Sequence, residues 1–262
     1  MAINAKDFTF CNKKLSDFGF IIANFDSSSD EDVSCGNVEL ITARPPMSSK
    51  NIIHGVSYGE PIKLVFQVVK FDYVTCTCSS EPVTDKEYED LMRWLVKTNY
   101  NYVNFDDGDV YFNVTMSVTA KKVGEHIRGF EITATNDSVY SYSQEYTKEL
   151  KPGEIFIDES SVVGYTYPKK LVITVTENSH AYCGVLDDKA MFIDNCTAGE
   201  IITVDCENKI ISSSNTAHDL SSDFNFVFFR FSNTEQTREN KIATTNVETI
   251  EMTYRFKRMV TL

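Results

Sequence analysis

Apolar side chains recur at every second position through most of this chain, and that period restricts it to sheet. Phe112, Val114, Met116 and Val118 alternate with Tyr111, Asn113, Thr115 and Ser117; Ile62, Leu64, Phe66 and Val68 alternate with Lys63, Val65, Gln67 and Val69. Phe130, Ile132 and Ala134 repeat the pattern beyond a turn at Gly124. Successive strand residues point to opposite faces, so each run predicts a strand with one buried side. One segment breaks the rule. Thr84 and Glu87 form a capping box, in which each side chain satisfies a backbone donor left over at a helix start. Tyr88, Leu91, Met92 and Leu95 then fall at helical spacing, with Asp85, Lys86, Glu89, Asp90 and Arg93 on the other side. The spacing predicts a helix over 85–97 lying flat on a sheet, followed by a strand at Tyr100–Val103 and a hairpin turned at Asp107-Gly108.

The remaining signals divide the chain in two. Phe8 to Phe20 reads as a hairpin around Asn12-Lys13-Lys14, Ser27 to Asp32 as an acidic loop, and Arg44 to Gly59 as irregular. Alternation stops between Asp137 and Pro152, where Pro152-Gly153 marks a break. Beyond it lie short strand candidates at Leu171–Val175, Ile202–Val204, Ile210-Ile211, Phe224–Phe231 and Ile250–Phe256, separated by turn signals at Asp187-Asp188, Gly199 and Glu207-Asn208. The expected fold class is mainly β. A β-rich N-terminal domain with one short helix occupies 1–140 and a β-sandwich occupies 141–262, its last strand free to return to the first domain.

Charge narrows the partners. With 25 Lys and Arg against 38 Asp and Glu, the net charge of -13 opposes attachment to phosphate backbones and anionic membranes. Lys121-Lys122 and Arg255, Lys257 and Arg258 are the local exceptions, and they read as solvated strand faces. No run approaches the roughly 20 apolar residues that span a bilayer, and the first residues lack a secretory signal. Synthesis and folding in a cytosol are expected. The seven cysteines form no regular framework, so buried thiols are expected rather than a disulfide scaffold, and the sequons at Asn113, Asn136 and Asn195 carry no weight.

Several strings bear on chemistry. Gly55-Val56-Ser57-Tyr58-Gly59 matches the nucleophile-elbow string, but Pro61 and a strand follow where a helix is required. Cys76 and Cys78, two apart, could face one side of a strand as half of a zinc site; Cys183, Cys196, Cys206, His180 and His218 could complete one only by converging in space. Asp106, Asp107 and Asp109 lack the calcium-loop spacing and read as a hairpin tip, as does Asp187-Asp188. No catalytic, cofactor-binding or metal-binding residue is assigned, and no enzyme activity is expected.

The helix ending Leu91-Met92-Arg93-Trp94-Leu95, the run Tyr102 to Asp107 with Tyr111-Phe112, and Phe130-Glu131-Ile132 with Tyr140 and Tyr142 together resemble the distal tail protein family of long-tailed bacteriophages. Leu15-Ser16-Asp17-Phe18-Gly19 resembles the family's opening hairpin; Ala198 to Asp205, Asn208 to Ile211 and Glu239 to Ile242 before Thr249–Phe256 resemble its second domain. The resemblance implies a ring-forming N-terminal domain and a galectin-like C-terminal sandwich. It also implies a hexameric ring at the virion tail tip, joining the tube protein to a tail-associated lysin or tip protein and to receptor-binding proteins. Neither nucleic-acid specificity nor membrane insertion is implied. Two other readings compete: a carbohydrate-binding module stacking sugars on Tyr165, Tyr167, Tyr182 and Phe192, and a hydrolase using Ser57.

Overall fold

In a computed structural model, the structure describes residues 5–23, 38–47, 49–234 and 237–259. The chain forms two compact units, Met1–Tyr142 with Met259–Leu262, and Ser143–Arg258. The acidic stretch Ser27–Asp32 lies outside the described residues.

The first unit runs β1 (Phe8–Phe10), β2 (Lys13–Lys14), a 3-10 turn (Leu15–Phe18), β3 (Phe20–Ile22), β4 (Val38–Ala43), β5 (Ile52–Tyr58), β6 (Lys63–Asp72), β7 (Thr77–Cys78), α1 (Asp85–Leu95), β8 (Asn101–Phe105), β9 (Tyr111–Val123), β10 (His126–Asn136) and β11 (Ser141–Tyr142). Its main sheet is antiparallel in the order β2-β1-β8-β9-β10-β6-β3, with β7 on β6 and β11 on β9. The alternating runs meet in register: Phe130 opposes Val68 and Ala120, and Ile132 opposes Phe66 and Val118. Their shared face carries Leu64, Phe66, Val68, Phe112, Val114, Phe130 and Ile132, all buried.

Helix α1 covers that face. Thr84 and Glu87 make the reciprocal capping box, and Lys70 of β6 binds the same Glu87 at 2.8 Å, so one carboxylate both starts the helix and ties it to the sheet. Leu91, Trp94 and Leu95 are buried, and Tyr88 stacks on Phe130. Trp94 points inward: its indole N–H donates to the Phe10 carbonyl at 2.8 Å, and its ring stacks between Phe8 at 5.4 Å and Phe18 at 4.5 Å. The helix stops at Leu95 rather than 97 because Val96 already has extended angles.

Three local readings are corrected here. The hairpin of β1 turns at Cys11 and Asn12, both at positive φ, and its second arm is only Lys13–Lys14. The apolar residues after it cross to the far edge, where β3 pairs with β6, because Asp7 accepts bonds from the Ser16 N–H and hydroxyl and Gly19 reverses the chain at φ 76. The Asp107-Gly108 turn takes its positive angles at Asp106 (φ 48) and Asp107 (φ 55), with Gly108 following. Finally, the segment read as irregular contains β5, which pairs with β4 as a two-stranded ribbon.

Close approach fixes one glycine. Where β10 bulges between Ile127 and Gly129, a Cβ at Gly129 would stand 2.6 Å from the Val68 carbonyl oxygen. Gly129→Ala is expected to cost about 1–3 kcal/mol as an overpacked site, read as a lower denaturant midpoint of the first unit.

The second unit is a sandwich of two antiparallel sheets. One has the order β12-β22-β15-β18-β19: β12 (Tyr146–Leu150), β22 (Val247–Tyr254), β15 (Lys170–Val175), β18 (Ile201–Asp205) and β19 (Ile210–Ser213). The other has the order β13-β21-β16-β17: β13 (Ile155–Ile157), β21 (Glu239–Thr245), β16 (Ala181–Val185) and β17 (Met191–Ile193). A ribbon of β14 (Gly164–Thr166) and β20 (Phe231–Asn233) and a one-turn α2 (Leu220–Asp223) complete it. Leu171, Ile173, Ile202, Val204, Ile250 and Met252 from one sheet meet Phe156, Cys183, Met191, Ile193 and Ile242 from the other. Strand β12 lies inside the stretch read as a break, and Phe224–Phe231 is not a strand, because Phe226 sits at φ 55 and turns the chain.

Candidate functional site

The residues singled out for chemistry scatter, with one exception. Ser57 sits within β5 opposite Glu39, so no strand-to-helix elbow forms around it. Cys76 occupies a turn at φ 53 rather than a strand, Cys78 lies on β7, and both are exposed. Two of the three hairpin-tip aspartates are fasteners: Asp106 accepts the Lys6 and Asp7 N–H groups at 2.9–3.1 Å, and Asp107 pairs with Lys14 at 2.5 Å, while Asp109 is exposed. Asp188 forms a two-point bond with Arg230 at 2.7 and 3.0 Å, and that hydrogen bond holds its carboxyl below the usual range.

Of the basic candidates, Lys121, Arg255, Lys257 and Arg258 are committed within the chain, and Lys122 is exposed. Lys121 pairs with Glu131 at 2.8 Å, Arg255 lies 3.6 Å from Glu145 and donates to the Ser143 carbonyl, and Arg258 lies 3.9 Å from Glu159. Lys257 donates to the Tyr165 carbonyl, and burial lowers its pKa.

Three of the four sugar-stacking candidates, Tyr165, Tyr167 and Phe192, are already covered, and Tyr182 is half-buried on β16. The Arg230 guanidinium lies 3.6 Å from the Tyr165 ring centre, the Lys209 ammonium 3.7 Å from that of Tyr167, and His180 stacks on Phe192 at 5.1 Å. A sugar would have to displace a cation from Tyr165 and another from Tyr167.

The exception lies at one end of the sandwich. The loop from β17 to β18 brings Cys196 and Glu200 together, and the loop before α2 brings His218. Asn195 at φ 53 and Gly199 at φ 78 turn the first loop, and the Cys196 N–H donates to the Ser179 carbonyl. One donor atom from each of Cys196, Glu200 and His218 lies within 4.8 Å of the others. His218 Nδ1 is 2.5 Å from Glu200 Oε1; its Nε2 reaches the Asp194 carbonyl at 2.9 Å and Asp223 at 3.3 Å. The Thr197 N–H holds Glu200 Oε2 at 2.8 Å and the Ser213 hydroxyl donates to Oε1. The His218 and Glu200 side chains are each 1% exposed and Cys196 is 3% exposed.

Burial works against charge here, yet it does not win. For Glu200 the bonds from Ser213, His218 and Thr197 overcome it and hold the carboxyl below its ordinary range. For His218 the bond and charge of Glu200 overcome it and raise the imidazole above its ordinary value. Burial, with Glu200 beside it, pushes the Cys196 thiol up to about 11.

Of the cysteines and histidines that could have converged, the fold joins Cys196 and His218. Cys183 and Cys206 are buried thiols, Cys206 pushed up by burial to about 12, and His180 is held by Phe192 and Ser179. Glu200 carried no sequence signal except its place after the turn glycine Gly199.

Comparison with known proteins gives a concordant picture. Residues 3–138 match a family model described as the phage tail protein N-terminal domain, and residues 138–254 match one described as the phage tail C-terminal domain. No curated protein matches the chain. Among solved structures, the SPP1 Dit protein, described as a paradigm of hub adsorption apparatus in phages infecting Gram-positive hosts, aligns with a TM-score of 0.59 at 12% identity, over 95% of this chain and 98% of that one. The phage p2 baseplate in its activated conformation with Sr gives a TM-score of 0.51 at 11% identity, over 98% and 100%. At such identities the likeness is one of fold.

Proposed function

Because the chain belongs to the phage tail protein family whose N-terminal and C-terminal domains it matches in order, we propose that it is a structural distal tail protein. In this reading residues 1–140 build a hexameric ring at the tail tip, and the galectin-like sandwich of 141–262 offers a platform for the lysin or tip protein and receptor-binding proteins. The tube protein docks on the ring. The role is mechanical, with no reaction assigned.

The observation that carries this reading is the β4–β5 ribbon. Leu40 is 57% exposed, Ile41 52%, Ile52 50% and Ile53 59%. Leu40 and Ile41 are neighbours on a strand and point to opposite faces, so the ribbon offers apolar side chains on both. A lone two-stranded ribbon has marginal stability in water, and apolar surface of this kind marks a protein contact. A neighbouring copy is the natural cover, since cyclic assemblies use repeated head-to-tail contacts. The net charge of -13 suits a channel that DNA crosses without sticking.

Negative-stain microscopy with light scattering on the purified protein tests the reading. Six-fold rings are expected, alone or on adding the tube protein. A species that stays monomeric with tube protein present overturns it.

A further inference from the structure

We propose that Cys196, Glu200 and His218 bind one transition-metal dication of the zinc class, clipping the β17–β18 loop to the segment that leads into α2. The inference is independent of the ring, because every group involved lies within the second unit.

The donor set is the first argument. One sulfur, one carboxylate oxygen and one imidazole nitrogen suit zinc, cobalt or nickel, whereas calcium and magnesium require oxygen throughout. Charge is the second. A thiolate, a carboxylate and a dication sum to zero, so the loaded site is a neutral assembly in a place where an unbalanced charge is costly. Burial of all three groups makes that balance matter.

The supporting bonds are the third argument. His218 offers Nδ1 on the side of Glu200, while Nε2–H is directed by the Asp194 carbonyl and Asp223. Zinc-bound histidines are oriented in this way, through the nitrogen that the metal does not use. Asp223 is in turn fixed by Asn195, whose amide donates to it at 3.0 Å. Glu200 is steadied by Thr197 and Ser213. Such a shell sets the positions of the His218 and Glu200 donors before an ion arrives, while the Cys196 thiol donates to the Ile193 carbonyl at 3.4 Å and must turn from it to bind.

Occupancy requires a modest change. At 2.5 Å, His218 Nδ1 and Glu200 Oε1 are joined directly by a hydrogen bond. Bonds of about 2.0–2.3 Å in a tetrahedral site place two ligands about 3.3–3.8 Å apart, so this pair opens as the sulfur closes in. The proton between Glu200 and His218 leaves, the Cys196 thiol gives up its proton, and one dication takes their place. Two protons are released per ion and no electron moves.

Cobalt(II) added to metal-stripped full-length protein reads the site directly. One equivalent is expected to give a thiolate-to-cobalt charge-transfer band with tetrahedral d–d bands, all erased by zinc. Cys196→Ser and His218→Gln should abolish the bands, whereas replacing the exposed Cys76 and Cys78 by serine should leave them. Zinc-edge absorption spectroscopy on the unmodified protein, loaded with one equivalent, needs no variant and should find a single sulfur among light donors. Absence of the bands, their dependence on Cys76 or Cys78, or a zinc shell with no sulfur or more than one would overturn the assignment.

Discussion

Trp94→Ala is expected to unfold much of the first unit's margin, costing about 3–5 kcal/mol against a total of about 5–15 kcal/mol for a typical domain. The indole fills the seam where α1 meets β1 and the 3-10 turn, stacked between Phe8 and Phe18 with its N–H on the Phe10 carbonyl. Alanine leaves a cavity there and also removes the bond that joins helix to strand. Trp94→Phe keeps an aromatic ring and loses the hydrogen bond, so a smaller loss of about 1–3 kcal/mol is expected. Denaturant melts followed by circular dichroism measure both. The chain has one tryptophan, so its emission in the unmodified protein reports the first unit alone. Equal losses in the two variants would show that packing of the ring carries little.

Ile41→Asp combined with Ile53→Asp should convert the proposed ring to monomers while leaving the monomer's own stability within about 0.5 kcal/mol, as exposed substitutions do. Both side chains are more than half exposed within one copy, so the fold loses little. In a closed ring every interface would instead bury carboxylates against apolar surface. Each such contact loses several kcal/mol, and 1.4 kcal/mol is tenfold in association, so a weakening of at least about a hundredfold per interface is expected. Light scattering across a concentration series reads it. Rings that persist at the same concentration would mean that another surface holds the copies together.

What could be read from residues depended on whether a segment has one buried face. The capping box of α1 and the alternation of β6, β9 and β10 were legible because burial on one side writes a periodic code. The β4–β5 ribbon writes none, since both its faces are wet within one copy, and its second strand reads as irregular chain. The aromatic run Phe224–Phe231 misled for the opposite reason: Phe224, Phe229 and Phe231 are buried and Phe226 is 65% exposed, without regular strand geometry. Turn chemistry was legible in kind, but the positive angles fell one residue early, at Asp106 and Asp107. The Cys196–Glu200–His218 cluster lay beyond reach, because its members meet only when two loops at the end of the sandwich come together.

The pairing of β1 with β8 also sets a timetable. Phe8 lies opposite Phe105 and Thr9 opposite Asn104, while the β1 hairpin by itself is two short strands. At about 5–20 residues per second of synthesis, the first strand waits roughly 5–20 s after leaving the ribosome before its partner exists. Throughout that interval Phe8, Phe10, Leu15 and Phe20, all destined to be fully buried, stand unpaired in water. Slowing translation before residue 105 should therefore worsen the yield more than slowing it afterwards.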